Sequence, residues 1–106
     1  MTKSNVNVRG EVYKALMKNN NEDFIVDECV YIRTITFHLT GRIFKVTDKF
    51  IFLEEAAWIA DSGRFTQAIN DGVLDEVEPV NVPVRVSINS IVDVYSWTHA
   101  LPKEQK

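Results

Sequence analysis

Apolar residues recur at two different spacings along this chain, and the change of spacing separates a helical segment from an extended one. In residues 11–18, Val12, Leu16 and Met17 recur at the spacing of one helix face, which predicts a short helix. The Asn run at 19–21 ends it, because Asn competes for backbone hydrogen bonds and tolerates left-handed geometry. We therefore expect a helical arm ahead of the extended part.

From Phe24 onward, β-branched and aromatic residues become frequent and partly alternate with polar ones. The segment 29–39 is the longest such run, and its composition predicts a single strand. The two faces of this strand are expected to carry Ile35, Phe37 and Leu39 on one side and Thr34, Thr36 and His38 on the other.

Two further extended runs surround a short polar connection. Thr40 and Gly41 interrupt the first strand, and the runs 42–46 and 50–53 are then joined by three polar residues, which predicts a hairpin. Residues 54–60 have a composition that suits a helix, but they follow directly on a strand. We predict that they continue that strand with a strong bend.

The second half of the chain mixes a short helix with two more strands. After the break at 61–63, residues 64–71 predict two helical turns that stop at Gly72. The apolar side of this helix is expected to carry Phe65, Ala68 and Ile69. Beyond two prolines, the runs 84–88 and 91–97 predict strands joined by a tight turn, and the last residues are expected to form a loose tail.

These elements predict one mainly β domain. Its parts are a helical arm and lead-in at 1–28, strands one to three at 29–60, an insertion at 61–83, strands four and five at 84–98 and a tail at 99–106. Short connections make neighbouring strands antiparallel. A small five-stranded sheet leaves its edges and one apolar face open, so we expect it to curl into a barrel, to pair its edges with other subunits, or both.

Part of this pattern resembles the Sm-like (LSm) family. The first signature of that family has a Gly, an apolar residue two positions on, an acidic residue seven on and a large apolar residue nine on. Gly41, Ile43, Asp48 and Phe50 match that spacing, and residues 84–94 look like the second signature. The likeness covers about 30–97. It implies an Sm-like five-stranded barrel with an N-terminal helix and a short helical insertion, assembled as a ring-like homo-oligomer.

The chain departs from the family at the positions that bind RNA. The family has an Asn ten residues after the Gly, where this chain has Ile51, and its Arg-Gly pair falls on Ser87 and Ile88. The side chains that would bond to a base and stack on it are therefore replaced. The resemblance implies the fold and the ring more strongly than it implies RNA binding.

A second resemblance concerns a group of small uncharacterised phage and prophage proteins. It rests on Arg33-Thr34, Gly41-Arg42, the segment 56–65 and the segment 77–79. It implies a phage-encoded protein in the cytoplasm of a host cell, and it brings no activity with it.

Composition and charge narrow the functions. Twelve Lys and Arg stand against fifteen Asp and Glu, for a net charge of −3, so we expect no binding to generic nucleic acid, which normally needs a basic face. One Cys and two His suit neither a disulfide nor a structural zinc site. No apolar run reaches the length of a membrane span and no leader is evident. We expect a cytoplasmic protein with no membrane partner, no metal and no cofactor.

Enzymatic chemistry finds little support in the residue pattern. His38 and His99 are isolated from Cys and carboxylates, and no nucleophile motif or phosphate-binding glycine loop is present. Glu54 and Glu55 are adjacent, so on a strand they point to opposite faces and cannot form a catalytic acid–base pair by themselves. We expect a protein that is not an enzyme.

The densest candidate site lies between the third strand and the short helix. It consists of Trp58, Asp61, Ser62, Gly63 and Arg64. The indole is expected to stack on a planar base and the guanidinium to bind phosphate, with Ser62 and the amides of the turn as further donors. Under the alternative interpretation, Trp58 packs in the core or an interface, Asp61 caps the helix and Arg64 pairs with a carboxylate.

Three functions follow from these observations. The first is a non-catalytic oligomeric module that binds a small anionic or nucleotide ligand, which in a phage would sequester a host signal. The second is an RNA-binding Sm-like ring. The third is a structural or protein-interaction module without a ligand.

Overall fold

A computed structural model describes residues 23–106, and in this range the chain forms six strands and one α-helix. The elements are β1 (Cys29–Thr34), β2 (His38–Val46), β3 (Phe50–Asp61), α1 (Phe65–Asp71), β4 (Glu76–Pro79), β5 (Val84–Ser87) and β6 (Ile91–Ser96), with a 3-10 turn at Ile88–Ser90 between the last two. The mainly β prediction is confirmed, but in these residues the sheet has six strands and is open, so the predicted five-stranded barrel is not confirmed. The helix predicted at 11–18 lies outside the described residues.

The strands form one open antiparallel sheet in the order β4-β3-β2-β1-β6. The strand β3 is twelve residues long, and on the side away from β2 it pairs with two different strands. Its first part, Phe50–Leu53, pairs with β5, and its later part pairs with β4. The connection 47–49 between β2 and β3 is the predicted hairpin turn, in which the Thr47 hydroxyl accepts a bond of 3.0 Å from the Phe50 amide.

The bend predicted in residues 54–60 is confirmed, and its geometry is visible in the β2–β3 register. Thr40 pairs with Ala57 and Arg42 with Glu54, so β3 contains one extra residue there. Glu55 takes up the bend with a φ of 52°, as a residue at a bulge can. Gly41 lies opposite the bulge, and a β-carbon on it would lie 3.1 Å from Leu53 Cβ. Gly41 is thus inside β2, where it allows close approach, and does not end a strand.

Because side chains alternate along a strand, the sheet buries residues on both of its faces. One cluster contains Val30, Ile32, Leu39, Ile43, Ile51, Leu53, Ala56 and Val86. The other contains Tyr31, Ala57, Ile59, Ala68, Leu74, Val77 and Trp97. The helix α1 covers the second face through its predicted apolar side, and it ends at Gly72, whose φ of 75° is left-handed.

The prediction of a single strand over 29–39 is wrong. The chain turns at 35–37, between β1 and β2. The Thr34 hydroxyl stabilises this turn, since it donates to the Phe37 carbonyl at 2.8 Å and accepts from the Phe37 amide at 3.0 Å. Ile35 is 76% exposed and Phe37 is 42% exposed. These two residues therefore do not share a buried face with Leu39.

Two further segments differ from expectation. The insertion 61–83 contains β4 as well as α1, because residues 76–79 pair with the later part of β3. The tail is not loose: the amide and carbonyl of Lys106 exchange two hydrogen bonds of 3.0 Å with those of Val77. Trp97 also donates to the Ala100 carbonyl at 3.1 Å. The last residues thus run beside β4.

Candidate functional site

A pocket of about 290 Å³ lies where β2 begins and β3 ends. Residues 36–38 form one wall, residues 58–60 form another, and Ser62 completes the lining. The antiparallel register explains this meeting, because His38 pairs with Ile59 and Leu39 with Trp58. The pocket is therefore built by two neighbouring strands, with a polar turn at its end.

Trp58 presents a large aromatic surface at this pocket. Its side chain is 47% exposed and belongs to neither buried cluster. Its neighbours Ala57 and Ile59 point to the other face and are buried. The alternative that Trp58 packs in the core of the subunit is therefore wrong. An exposed indole on a strand offers an aromatic face on which a planar group can stack.

The polar groups of the turn after β3 form hydrogen bonds with one another. Asp61 Oδ1 accepts a bond of 2.8 Å from the Gly63 amide, and Ser62 Oγ donates to the Gly63 carbonyl at 3.1 Å. Gly63 has a φ of 69°, and a β-carbon there would lie 2.9 Å from the Asp75 carboxyl group. The Gly63 amide, predicted as a donor to a ligand, is thus occupied by Asp61.

Arg64 occupies the position just before α1 and is exposed. Its side chain does not cap the helix, and the predicted capping role of Asp61 is also not found, since no side chain caps α1. Among residues 23–106, no carboxylate lies within ion-pair distance of Arg64. Of the five predicted site residues, the structure brings Trp58 and Ser62 together at the pocket. Asp61 is the last residue of β3, and Gly63 and Arg64 lie in the turn that follows it.

Sequence reasoning missed the two residues that line and support the pocket from β1 and β2. Tyr31 is fully buried, and its hydroxyl lies 2.7 Å from His38 Nδ1. Burial lowers the pKa of His38, and the positive charge of Arg33 lowers it further. Burial also raises the pKa of Tyr31, an effect that the nearby Ser62 hydroxyl opposes. Both groups are therefore neutral near pH 7.

A second arginine near the pocket, Arg33, forms an ion pair with Asp93. Arg33 donates two hydrogen bonds to Asp93, of 2.7 and 2.5 Å, and this pairing lowers the pKa of Asp93. The Arg33 guanidinium also lies 5.2 Å from the centre of the Phe65 ring and 5.9 Å from that of Tyr95. Tyr95 donates to Asp93 at 3.0 Å. Arg33 is therefore a structural cation that joins β1, β6 and α1.

Ile51, Ser87 and Ile88 are the three positions at which the sequence departs from the Sm-like pattern. Ile51 is fully buried in the first cluster. Ser87 ends β5 and pairs with Phe50, and Ile88 packs against the same cluster as Ile51. Ile51 and Ile88 have apolar side chains, and Ser87 has a hydroxyl in place of a charged group.

A larger groove, of about 600 Å³, lies on the other side of the bend in β3. Its walls are residues 54–56, 79–83 and 102–103. Glu55 binds Arg42 and also accepts a bond of 2.5 Å from Lys103. Since these ion pairs join β2, β3 and the last residues, they stabilise the rim of the groove.

No protein-family model matches the chain, and a comparison with curated proteins finds no match either. Within residues 23–106, no three His, Cys, Asp or Glu side chains come close enough to hold a metal ion. In the same range no helix has the length and apolar character needed to cross a bilayer. The geometry of the pocket is thus the basis for a functional proposal.

Proposed function

We propose that this protein is a non-catalytic, homo-oligomeric binding protein of Sm-like architecture that takes a planar anionic ligand of the nucleotide class at Trp58. The observation that carries the proposal is the half-exposed indole beside a polar pocket. In a phage, such a protein would sequester a small signalling molecule of the host.

Stacking supplies the first part of the binding energy. A base stacked on an aromatic side chain contributes about 1–3 kcal/mol, and Trp offers the largest ring. The volume of about 290 Å³ suits one heterocyclic ring better than a whole nucleotide, since sites for drug-sized molecules usually start at about 300 Å³. The hydroxyl groups of Thr36 and Ser62 lie at the pocket and can bond to such a ring.

The anionic part of the ligand would lie outside the pocket. Arg64 is exposed and follows the pocket residue Ser62 by two positions, so its long side chain can reach a phosphate attached to the ring. The carboxylates of Asp61 and Asp75 lie beside the same turn. A phosphate must therefore approach from the Arg64 side.

Free strand edges support the proposed assembly. Within the described chain, β5 pairs only with β3 and β6 pairs only with β1. Both strands thus keep unpaired backbone groups, and Val92 on β6 is 62% exposed. Edge strands of this kind are satisfied when they pair with another chain. The strand order β5-β3-β2-β1-β6, with a short turn between β5 and β6, also supports an Sm-like architecture.

Calorimetric titration of the protein with AMP, GMP, UMP and CMP tests the proposal. Arg64→Ala is expected to leave folding and assembly unchanged and to abolish binding of the nucleotide that the wild type prefers. Lys45→Ala, on the exposed part of β2, is the matched control because it removes a cation away from the pocket. If none of these nucleotides binds the wild type, or if Arg64→Ala dissociates the oligomer, the proposal is wrong.

A further inference from the structure

We propose that Phe37 is the second aromatic wall of this pocket and that the base enters edge first between Phe37 and Trp58, above Ala60. This inference rests on the proposed function, because it adds a second ring to the stacking site at Trp58. It also narrows the class of ligand: a base covered on both faces must be a heteroaromatic ring that is flat on both sides.

The register of β2 and β3 places these side chains on one face of the sheet. Leu39 pairs with Trp58, and directly opposite residues project to the same face. Ala60 follows Trp58 by two positions on β3, so the period of two along a strand brings it to that face. Phe37 precedes Leu39 by two positions and lines the same pocket. Continuing the antiparallel register by one step past the start of β2 places Phe37 opposite Ala60.

The spacing of the two walls suits one inserted ring. Phe37 and Trp58 are thereby diagonal neighbours, and residues in that relation are separated by about 7–8 Å. A ring held between two others makes carbon contacts at about 3.5–4.0 Å on each face, so its two neighbours lie about 7–8 Å apart. Within residues 23–106, neither Phe37 nor Trp58 pairs with another aromatic ring. Both rings are thus available to a ligand.

The walls are accessible, and the residue between them is small. Phe37 is 42% exposed and Trp58 is 47% exposed, and Ala60 is exposed as well. All three line the pocket of about 290 Å³. Because the side chain of Ala60 is a single methyl group, it leaves the space above the strand open. A base in that space would remove water from both rings.

The backbone holds Phe37 in place independently of its ring. The Thr34 hydroxyl donates to the Phe37 carbonyl at 2.8 Å and accepts from the Phe37 amide at 3.0 Å. The Thr34 amide donates to the same carbonyl at 2.8 Å. These bonds use only main-chain atoms of Phe37, so a change of its side chain leaves the turn formed. Phe37 variants therefore report on the pocket rather than on the fold.

Calorimetric titration with whichever of AMP, GMP, UMP and CMP the wild type prefers tests the second wall. Phe37→Ala is expected to weaken binding by roughly fivefold or more, which is the contribution of one stacked ring. Phe37→Tyr keeps an aromatic face and is expected to bind within about threefold of the wild type. Phe44→Ala is the matched control, because it removes a ring of similar exposure, 36%, that does not line the pocket.

Two further measurements locate the base between the rings. Ala60→Leu fills the space between the walls and is expected to abolish binding, while the exposed position keeps the melting temperature and the mass unchanged. In the complex of the wild type with the same nucleotide, nuclear Overhauser contacts are expected from the base protons to both Phe37 and Trp58 and to the methyl group of Ala60.

Equal affinity of Phe37→Ala and the wild type, or contacts from the base to Trp58 alone, would overturn this inference and leave the stacking role of Trp58 intact. Unchanged binding in Ala60→Leu would overturn it as well. Dissociation of the oligomer by Phe37→Ala would assign the ring to an interface instead. If no nucleotide binds the wild type, the proposed function itself fails, and this inference fails with it.

Discussion

Arg33 and Asp93 face each other across the β1–β6 pair and share two side-chain hydrogen bonds, of 2.7 and 2.5 Å. Each side chain is about one-third exposed, so solvent reduces the strength of the pair. The guanidinium also contacts the rings of Phe65 and Tyr95. One ion pair thereby connects an edge strand to the helix behind the pocket.

Asp93→Asn is expected to lower the free energy of unfolding by about 1 kcal/mol, because the pair is partly exposed. It also weakens the acceptor of the Tyr95 hydroxyl. Urea denaturation measures the difference. Asp48→Asn, in the exposed turn between β2 and β3, is the control and should change stability by less than about 0.5 kcal/mol. Equal effects of the two substitutions would contradict a structural role for the Arg33–Asp93 pair.

The dependence of the free energy of unfolding on pH is expected to show that the pKa of His38 is lowered in the folded protein. Burial holds the pKa of His38 below its ordinary value in the folded protein, whereas the unfolded chain titrates near about 6.5. As the pH falls below that ordinary value, the unfolded state therefore takes up a proton first. The contribution of His38 to stability is complete above about pH 6.5 and is lost as the pH falls toward the folded pKa.

Urea unfolding at several pH values between about 5 and 7.5, for the wild type and for His38→Gln, isolates this contribution. The wild type should lose more stability than the variant as the pH decreases. The other titrating groups are the same in both proteins, so they cancel in the difference. Parallel curves would show that His38 titrates alike in the folded and unfolded chains.

Much of the sheet could be predicted from the sequence because its determinants are local. The β2–β3 hairpin follows from two apolar runs around three polar residues. The bend in β3 was predictable because residues 54–60 continue a strand while their composition is unusual for one. In the structure, Glu55 provides that bend at a φ of 52°. The helix α1 was also predictable, since its apolar spacing and Gly72 define both its face and its end.

The errors arise where the local sequence signal is weak or where distant residues decide the structure. The turn at 35–37 contains Ile35 and Phe37, whose apolar character is typical of a strand, and the Thr34 hydroxyl that stabilises the turn leaves no strong sequence signal. The strand β4 has only four residues and depends on pairing with β3. The contact between Tyr31 and His38 depends on the β1–β2 register, in which Arg33 pairs with His38. Neither residue forms a recognisable motif by itself.

A single Lys substitution on an edge strand tests whether the protein assembles by pairing of strand edges. A Lys on an edge strand opposes pairing with another chain, so Val92→Lys on β6 is expected to reduce the oligomer to a monomer of 12.1 kDa. Val73→Lys, at a comparably exposed position between α1 and β4, is the control and should leave the mass unchanged. Light scattering coupled to size exclusion measures both. A wild-type mass of one chain at micromolar concentration would exclude the proposed assembly.

The stability of Trp58 variants separates a binding role from a packing role. Since Trp58 is about half exposed, Trp58→Phe should change the free energy of unfolding by less than about 1 kcal/mol. Truncation of a fully buried Trp costs about 3–5 kcal/mol, and the buried Trp97 is expected to behave that way. A large loss of stability in Trp58→Phe would indicate that this ring is buried in an interface.

The most direct measurement of the central claim is the affinity of Trp58 variants for whichever of AMP, GMP, UMP and CMP the wild type prefers, determined by calorimetry. Stacking of one base contributes about 1–3 kcal/mol, so Trp58→Ala is expected to weaken binding by about tenfold or more. Trp58→Phe keeps an aromatic face and should weaken it by only about threefold. Binding that is equally strong in the wild type and in a folded Trp58→Ala variant would contradict the assignment of Trp58 as the ligand-binding residue.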